Sequence, residues 1–296
     1  MTTSTESSDL AFHDIECFET GDMLRALLEG QGAALHAAAA AVPSLERAVT
    51  EAALRLADPA SRLVYVGAGT SGRLAMLDAV ELYPTFGWPE ARTRFLLAGG
   101  EASVAEARES AEDDEAAGRD AIAAIDCGPA DVVLGLAASG STPYTLAAIE
   151  AARARGALTI GFANNPGSPL VERAAIGVLL ETGPEVLAGS TRMAAGTAQK
   201  IALNMFSTAV MMRLGKVYRG RMVDMKPTNR KLRRRAVSML AEVAGCDEAA
   251  ATAALEATGF HVKPAVLVAR GLTAEQAAAA LARNGDDLRR ALADLD

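Results

Sequence analysis

The chain has 296 residues, half of them hydrophobic, only 4% aromatic, and a formal net charge of −8. That length is enough for one α/β domain with helical additions. The few aromatics and the acidic balance exclude a base-stacking or duplex-binding surface. The first ten residues are polar and are expected to fray. Residues 11–41 are alanine-rich and helix-prone, and Pro43 and Ser44 open a second helix that ends near Asp58-Pro59. Short β-rich runs then alternate with helical stretches. The expected strands are Arg62–Val66, Arg94–Ala98, Asp131–Ala137, Leu158–Ala163 and Ile176–Glu181, with helices starting near Ser71, Ser103, Thr142, Pro169 and Gly189. Such alternation predicts a doubly wound, mostly parallel sheet covered on both faces, a three-layer αβα core. After Lys216 the strand signal disappears. Helices are expected over Asn229–Val243, Asp247–Ala257, Val262–Ala269, Thr273–Ala282 and Asp286–Ala293, punctuated by Gly245, Gly259, Gly271 and Gly285. The expected division is an N-terminal helical segment (1–50), an α/β domain (51–217) and a C-terminal helical domain (218–296).

Three apolar runs stop at turns dense in glycine and hydroxyl side chains. Leu63–Val66 meets Gly67-Ala-Gly-Thr-Ser-Gly-Arg73, Val132–Leu136 meets Ala137-Ala-Ser-Gly-Ser-Thr-Pro143, and Ile176–Leu180 is followed by Gly189-Ser-Thr-Arg-Met193. A strand feeding such a turn, with a helix after it, offers backbone N–H and hydroxyl donors to an anion. Ordinary helix N-capping by Ser or Thr explains one turn as well, but explains three less well. Gly67-x-Gly69-x-x-Gly72 also matches a dinucleotide fingerprint. Against that reading, Thr70, Ser71 and Arg73 crowd the loop, the acidic residue expected after the second strand comes late at Glu101, and the Ser139–Thr142 turn would have no task. No Gly-Lys-Ser/Thr follows a glycine loop, so a P-loop is absent. The residues expected to bind a phosphorylated small molecule are Thr70, Ser71, Arg73, Ser139, Ser141, Thr142 and Ser190. The cluster Arg230–Arg235 reads as a solvated helix face, and Met205, Met211 and Met212 read as core or interface packing. Cys17, Cys127 and Cys246, with His13, His36 and His261, show neither disulfide nor metal-ligand spacing. No secretory leader or bilayer-spanning run is evident, so a cytoplasmic protein without membrane contact is expected.

At these turns the chain resembles the sugar isomerase (SIS) family of phosphosugar-binding domains and, within it, the N-acetylmuramic acid 6-phosphate etherases. The stretches that carry the likeness run in order from Gly67–Leu74 through Leu77-Asp78 to Glu81, Pro84–Gly87, Ala98–Glu101, Ala111–Asp113, Ala137–Gly140 and Thr142–Tyr144. They continue through Asn165–Ser168, Gly189–Met193, Ala195–Lys200, Met222–Asp224 and Thr228-Asn229. Ser141 and Ala195 stand where an arginine and a lysine are common, and Val80, Leu82 and Tyr83 also depart from the pattern. The resemblance implies a homodimeric lyase of cell-wall sugar recycling with no cofactor and no metal. It places the two functional carboxylates at Glu81, as acid, and Glu112, as base. Locally, Leu77, Leu82, Tyr83 and Phe86 give Glu81 an apolar setting, and Asp78 is an equally plausible carboxylate. The same residues leave room for a non-catalytic phosphosugar sensor or an aldose–ketose isomerase.

Overall fold

The computed structural model describes residues 4–104, 106 and 109–295. Five strands, β1 (Leu63–Gly67), β2 (Thr93–Leu97), β3 (Val132–Leu136), β4 (Leu158–Ala163) and β5 (Ile176–Leu179), form one parallel sheet in the order β2-β1-β3-β4-β5. All five lie within two residues of their expected bounds. β1, β3 and β4 are buried at every position, which is why they read as unbroken apolar runs rather than as alternating ones.

The helices are α1 (Thr20–Ala40), α2 (Val42–Leu56), α3 (Gly69–Phe86), α4 (Glu115–Ala124), α5 (Pro143–Ala154), α6 (Pro169–Arg173) and α7 (Ala194–Arg213). Among the described residues no α-helix starts near Ser103, where one is expected. Glu101–Val104 and Glu109–Asp113 are 3-10 turns, and α4 begins only where Asp114 caps it by accepting from Ala117 N–H. The expected start of α7 near Gly189 also falls later, at Ala194.

Compactness divides the chain into two units rather than three. One holds the residues up to Ala79 with Ala91–Thr208, and the other holds Val80–Glu90 with Ala209–Asp296. The two N-terminal helices therefore belong to the sheet unit, where α2 packs against β5 and β3.

The second unit carries α8 (Arg230–Ala244), α9 (Glu248–Ala257), α10 (Val262–Ala269), α11 (Ala274–Arg283) and α12 (Leu288–Ala293). Its core includes Val223, Leu240, Leu255, Val266, Leu267 and Leu288. Asn229, Asp247, Thr273 and Asp287 each cap the following helix through the side chain, contributing about 1 kcal/mol apiece. Strand structure does not end at Lys216. A two-residue ladder, β6 (Val217–Tyr218) with β7 (Arg221–Met222), turns at Arg219 and Gly220, both at positive φ. Two residues per strand leave no alternation to read. The arginines of α8 are exposed as expected, with Arg233 lying over the Phe260 ring. Among the described residues no single helix is long and apolar enough to cross a membrane.

Candidate active site

In a sheet ordered β2-β1-β3-β4-β5 the winding reverses between β1 and β3. In open parallel sheets ligands bind at such a reversal, outside the carboxyl ends of the strands. The first two hydroxyl-rich turns leave these two neighbouring strands.

At the first turn, Gly72 N–H donates to Ala68 O at 2.9 Å. A methyl group on Gly67 would lie 2.8 Å from Gly72 Cα. The glycines thus let the helix start press against the strand end, leaving Thr70 half-buried and Ser71 buried at the head of α3.

The second turn holds Gly140 at φ +68°, where an added methyl would run into the Ser168 side chain and Ala163 Cβ. Only glycine meets both demands. Ser139 Oγ accepts from Ser141 N–H at 3.2 Å. Thr142 occupies the N-cap of α5, yet its hydroxyl makes no capping bond, and Pro143 supplies no N–H. Capping therefore does not account for this threonine. Ser168 Oγ, which faces Gly140, is buried without a hydrogen-bond partner.

The third turn comes alongside the first. Gly196 N–H donates to Thr191 O, and a methyl on Gly196 would lie 3.6 Å from Thr70 Cγ2. Ser190 is half-buried here. The head of α7, however, is already taken by an anion of the chain itself. Glu185, 1% exposed, accepts from Ala194 and Ala195 N–H, both at 2.9 Å. As an anion-binding helix start the third turn is corrected; Ser190 retains its hydroxyl but not a free helix end.

Arg73 spends its guanidinium on backbone carbonyls. Its Nε donates to those of Ser103 and Val104, at 3.1 and 3.2 Å, and Nη2 donates to that of Glu106 at 3.2 Å. It holds the segment leading toward Glu112. That residue is exposed on the 3-10 turn Glu109–Asp113, which packs against α5, the helix that follows the second hydroxyl turn.

The apolar surroundings expected for Glu81 are not found. Glu81 is exposed on α3 beside exposed Leu77 and Val80, while Leu82 and Phe86 turn into the core. By compactness it falls in the second unit, whereas the other expected site residues lie in the first. The buried carboxylate of α3 is Asp78, 4% exposed, which accepts from Tyr65 OH at 2.8 Å and Ser207 Oγ at 3.1 Å. Burial pushes its pKa above the ordinary range, against the two hydroxyl donors and the nearby charge of Lys200. Sequence left Asp78 and Glu81 level; burial separates them.

The expected fraying of the first ten residues is also corrected from Ser4 onward; residues 1–3 lie outside the described residues. Ser4–Glu6 form a 3-10 turn, and Thr5 is 1% exposed. Ser4 Oγ and Thr5 N–H donate to Asn165 Oδ1, and Asn165 Nδ2 donates to Thr5 Oγ1 and to Ala138 O. Gly189 N–H donates to Thr5 O. The segment thus ties the second turn to the third. Polar residues read as solvated, and nothing in their spacing reveals a partner 160 positions away.

Among the described residues no group of three or more His, Cys, Asp or Glu could hold a metal ion.

The chain matches two domain descriptions and several curated relatives. A domain described as the glucokinase regulatory protein N-terminal SIS domain matches residues 44–153, and the SIS domain matches residues 113–209. An N-acetylmuramic acid 6-phosphate etherase of Deinococcus radiodurans is 48% identical over 98% of this chain and 95% of its own. One from Cronobacter sakazakii is 46% identical over 94% of each chain. Among solved structures, a phosphoheptose isomerase from Francisella tularensis has 16% identity and a TM-score of 0.47, covering 66% of this chain and 100% of its own.

Proposed function

Because this chain belongs to the N-acetylmuramic acid 6-phosphate etherase family, we propose that it cleaves the D-lactyl ether of N-acetylmuramic acid 6-phosphate. The products are N-acetylglucosamine 6-phosphate and D-lactate, and the reaction belongs to cell-wall sugar recycling. The observation that carries the reading is the placing of two hydroxyl-bearing turns at the carboxyl ends of adjacent β1 and β3, in a chain nearly half identical to named etherases along its whole length.

Thr70, Ser71, Ser139, Ser141 and Thr142 donate to the phosphate, and Ser190 contributes a further hydroxyl. Each bond to the charged group is worth about 1.5–3 kcal/mol. Arg73 acts by fixing the segment before Glu112.

The ether at C3 is a poor leaving group, so direct displacement is costly. Ring opening exposes an aldehyde at C1 that acidifies the proton on C2. Glu112 takes this proton, the electron pair forms a C2–C3 double bond, and the C3–O bond breaks. Glu81 gives its proton to the departing lactyl oxygen. Glu112 releases the C2 proton to solvent and, ionised again, takes a proton from the water that adds to C3, while C2 regains a proton from solvent and Glu81 is reprotonated. Each of these roles contributes about 10²–10⁴ in rate. The net change is addition of water across the ether, with an elimination step, hence a carbon–oxygen lyase. No cofactor is required by this sequence of steps.

The proposal includes a cytoplasmic homodimer. Its surface is supported by Leu24, Leu28 and Leu35, exposed along α1, and by Met205 on α7. On the helix Ile201–Met212, Ala202, Leu203, Phe206, Val210 and Met211 are buried, while Met212 is exposed like Met205.

Incubation with the muramic acid phosphate in D2O should release D-lactate and leave deuterium at C2 of the product. Retained sugar-phosphate binding without lactate would replace the etherase with a sensor. Glu81→Gln should stop lactate release while C2 exchange continues; unimpaired release would remove Glu81 from the mechanism.

A further inference from the structure

The second unit holds a pocket of about 410 Å³, lined by residues from the 224–226 segment, α10 and α11, with Gly87, Lys216 and Asp286. None of the groups assigned to ether cleavage lines it. Its volume is within the range of small-molecule sites rather than that of a single ion.

The charges around it are unequally matched. Lys263, 1% exposed, places Nζ 2.6 Å from Asp224 Oδ2 and 2.8 Å from Asp286 Oδ2, and donates to the Asp286 carbonyl. Lys216 Nζ reaches the same two carboxylate oxygens at 2.9 and 3.1 Å. Two ammonium groups and two carboxylates thus cancel in a closed cluster. Burial opposes the Asp286 charge, but Lys263 and Lys216 outweigh it and hold its pKa below the ordinary range.

Lys226 is left over. Its stem runs past Gly87, where a methyl would lie 3.2 Å from Lys226 Cε, and among the described residues no carboxylate pairs with it. Beside it begins α10. Its N-cap, His261, makes no side-chain capping bond, and the first N–H groups, of Val262 and Lys263, have no acceptor within the helix. His261 Nδ1 is held by Thr258 O at 3.0 Å, leaving Nε2 available. Part of the lining is apolar: Met225, Pro264, Ala278 and Leu281.

We propose that this pocket binds a small organic anion, with the charged end on Lys226, His261 and the start of α10 and the carbon body against the apolar part of the lining. The neutral cluster beneath fixes α10 and the 224–226 segment but contributes no net charge, so recognition depends on Lys226. No residue of the hydroxyl turns lines it, and the proposal does not depend on the etherase reading.

The chain contains three histidines, His13, His36 and His261, so histidine-selective NMR of the full-length protein reports on the pocket directly. At fixed pH, titration with inorganic phosphate should shift the His261 resonance saturably and leave His13 and His36 in place. Phenyl phosphate should saturate it at a concentration at least tenfold lower, because its ring meets the apolar part of the lining. Lys226→Gln should weaken the effect at least tenfold, with unmoved His13 and His36 signals showing that the fold is intact. The double variant S139A/S141A should respond like the parent. A stationary His261 signal, an unchanged response in Lys226→Gln, or its loss in S139A/S141A would overturn the proposal. Equal affinity for phosphate and phenyl phosphate would overturn the organic character of the ligand.

Discussion

The two ends of the parallel sheet use their polar groups differently. At the amino end, Arg62 grips Asp131 with two bonds, Nε to Oδ1 at 2.9 Å and Nη2 to Oδ2 at 2.7 Å. The same guanidinium donates to the carbonyls of Ile125 and Asp126, and Gly128 N–H donates to Asp131 Oδ2. Three segments, the starts of β1 and β3 and the loop after α4, are locked by donors and acceptors that answer one another. At the carboxyl end the hydroxyls of Ser103, Ser168 and Thr182 are buried without partners among the described residues, and Thr142 leaves its capping bond unmade. A native fold satisfies most buried polar groups. Thr93 at the amino end of β2 is left over as well, so the contrast is one of degree: more unanswered hydroxyls gather at the carboxyl edge, the edge proposed to bind the phosphate.

Four substitutions test that contrast, taken from the largest effect downward. Glu112→Gln should lower the rate of lactate release by about 10²–10⁴ with an unchanged melting temperature; a rate within twofold of the parent would remove the base from the scheme. Asp131→Asn should do the reverse, costing about 3 kcal/mol by denaturant titration while kcat stays level. Its pH dependence has a defined sign. Burial opposes the Asp131 charge, but the bonds from Arg62 and Gly128 outweigh it and hold the pKa below the ordinary 3.8. The unfolded chain therefore takes up the proton first as pH falls. The stabilisation is complete above the unfolded pKa and disappears as pH drops through the folded one. Acid unfolding curves of Asp131→Asn should be correspondingly flatter in that window; an identical acid limb would mean that the pair adds nothing.

Gly140→Ala places a methyl against Ser168 at a positive φ, a combination worth about 2–4 kcal/mol. It should lower both stability and sugar-phosphate affinity, because the turn carries Ser139 and Thr142. Full activity at an unchanged melting temperature would show that the turn adapts. Thr142→Ala should be mildest, raising KM about tenfold or more through the loss of one charge-assisted bond at constant stability. If instead it destabilises without touching KM, the hydroxyl is a cap after all.

Strands buried on both faces are legible as apolar runs, and the glycines and hydroxyls at their ends are legible as turns, because each is a local demand on the backbone. That is why β1, β3 and β4 and the first two turns were visible from composition alone. What escapes local reading is satisfaction at a distance. Glu185 looks like a solvated loop residue, yet it closes the head of α7, which the third turn was expected to offer to a ligand. Asp78 and Glu81 sit three residues apart on one helix and differ only in which way α3 faces its neighbours. The β6–β7 ladder is too short to print a period on the sequence.

Thr5 and Ser4 carry a practical corollary for anyone handling the protein. Asn165 spends its side-chain oxygen on these two residues and one of its amide bonds on Thr5 Oγ1. Proteolytic trimming up to Asp9, or a bulky fusion that pulls the leading peptide aside, would strip that amide of its counterparts and slacken the loop behind β4. Purification handles are better appended at the opposite terminus.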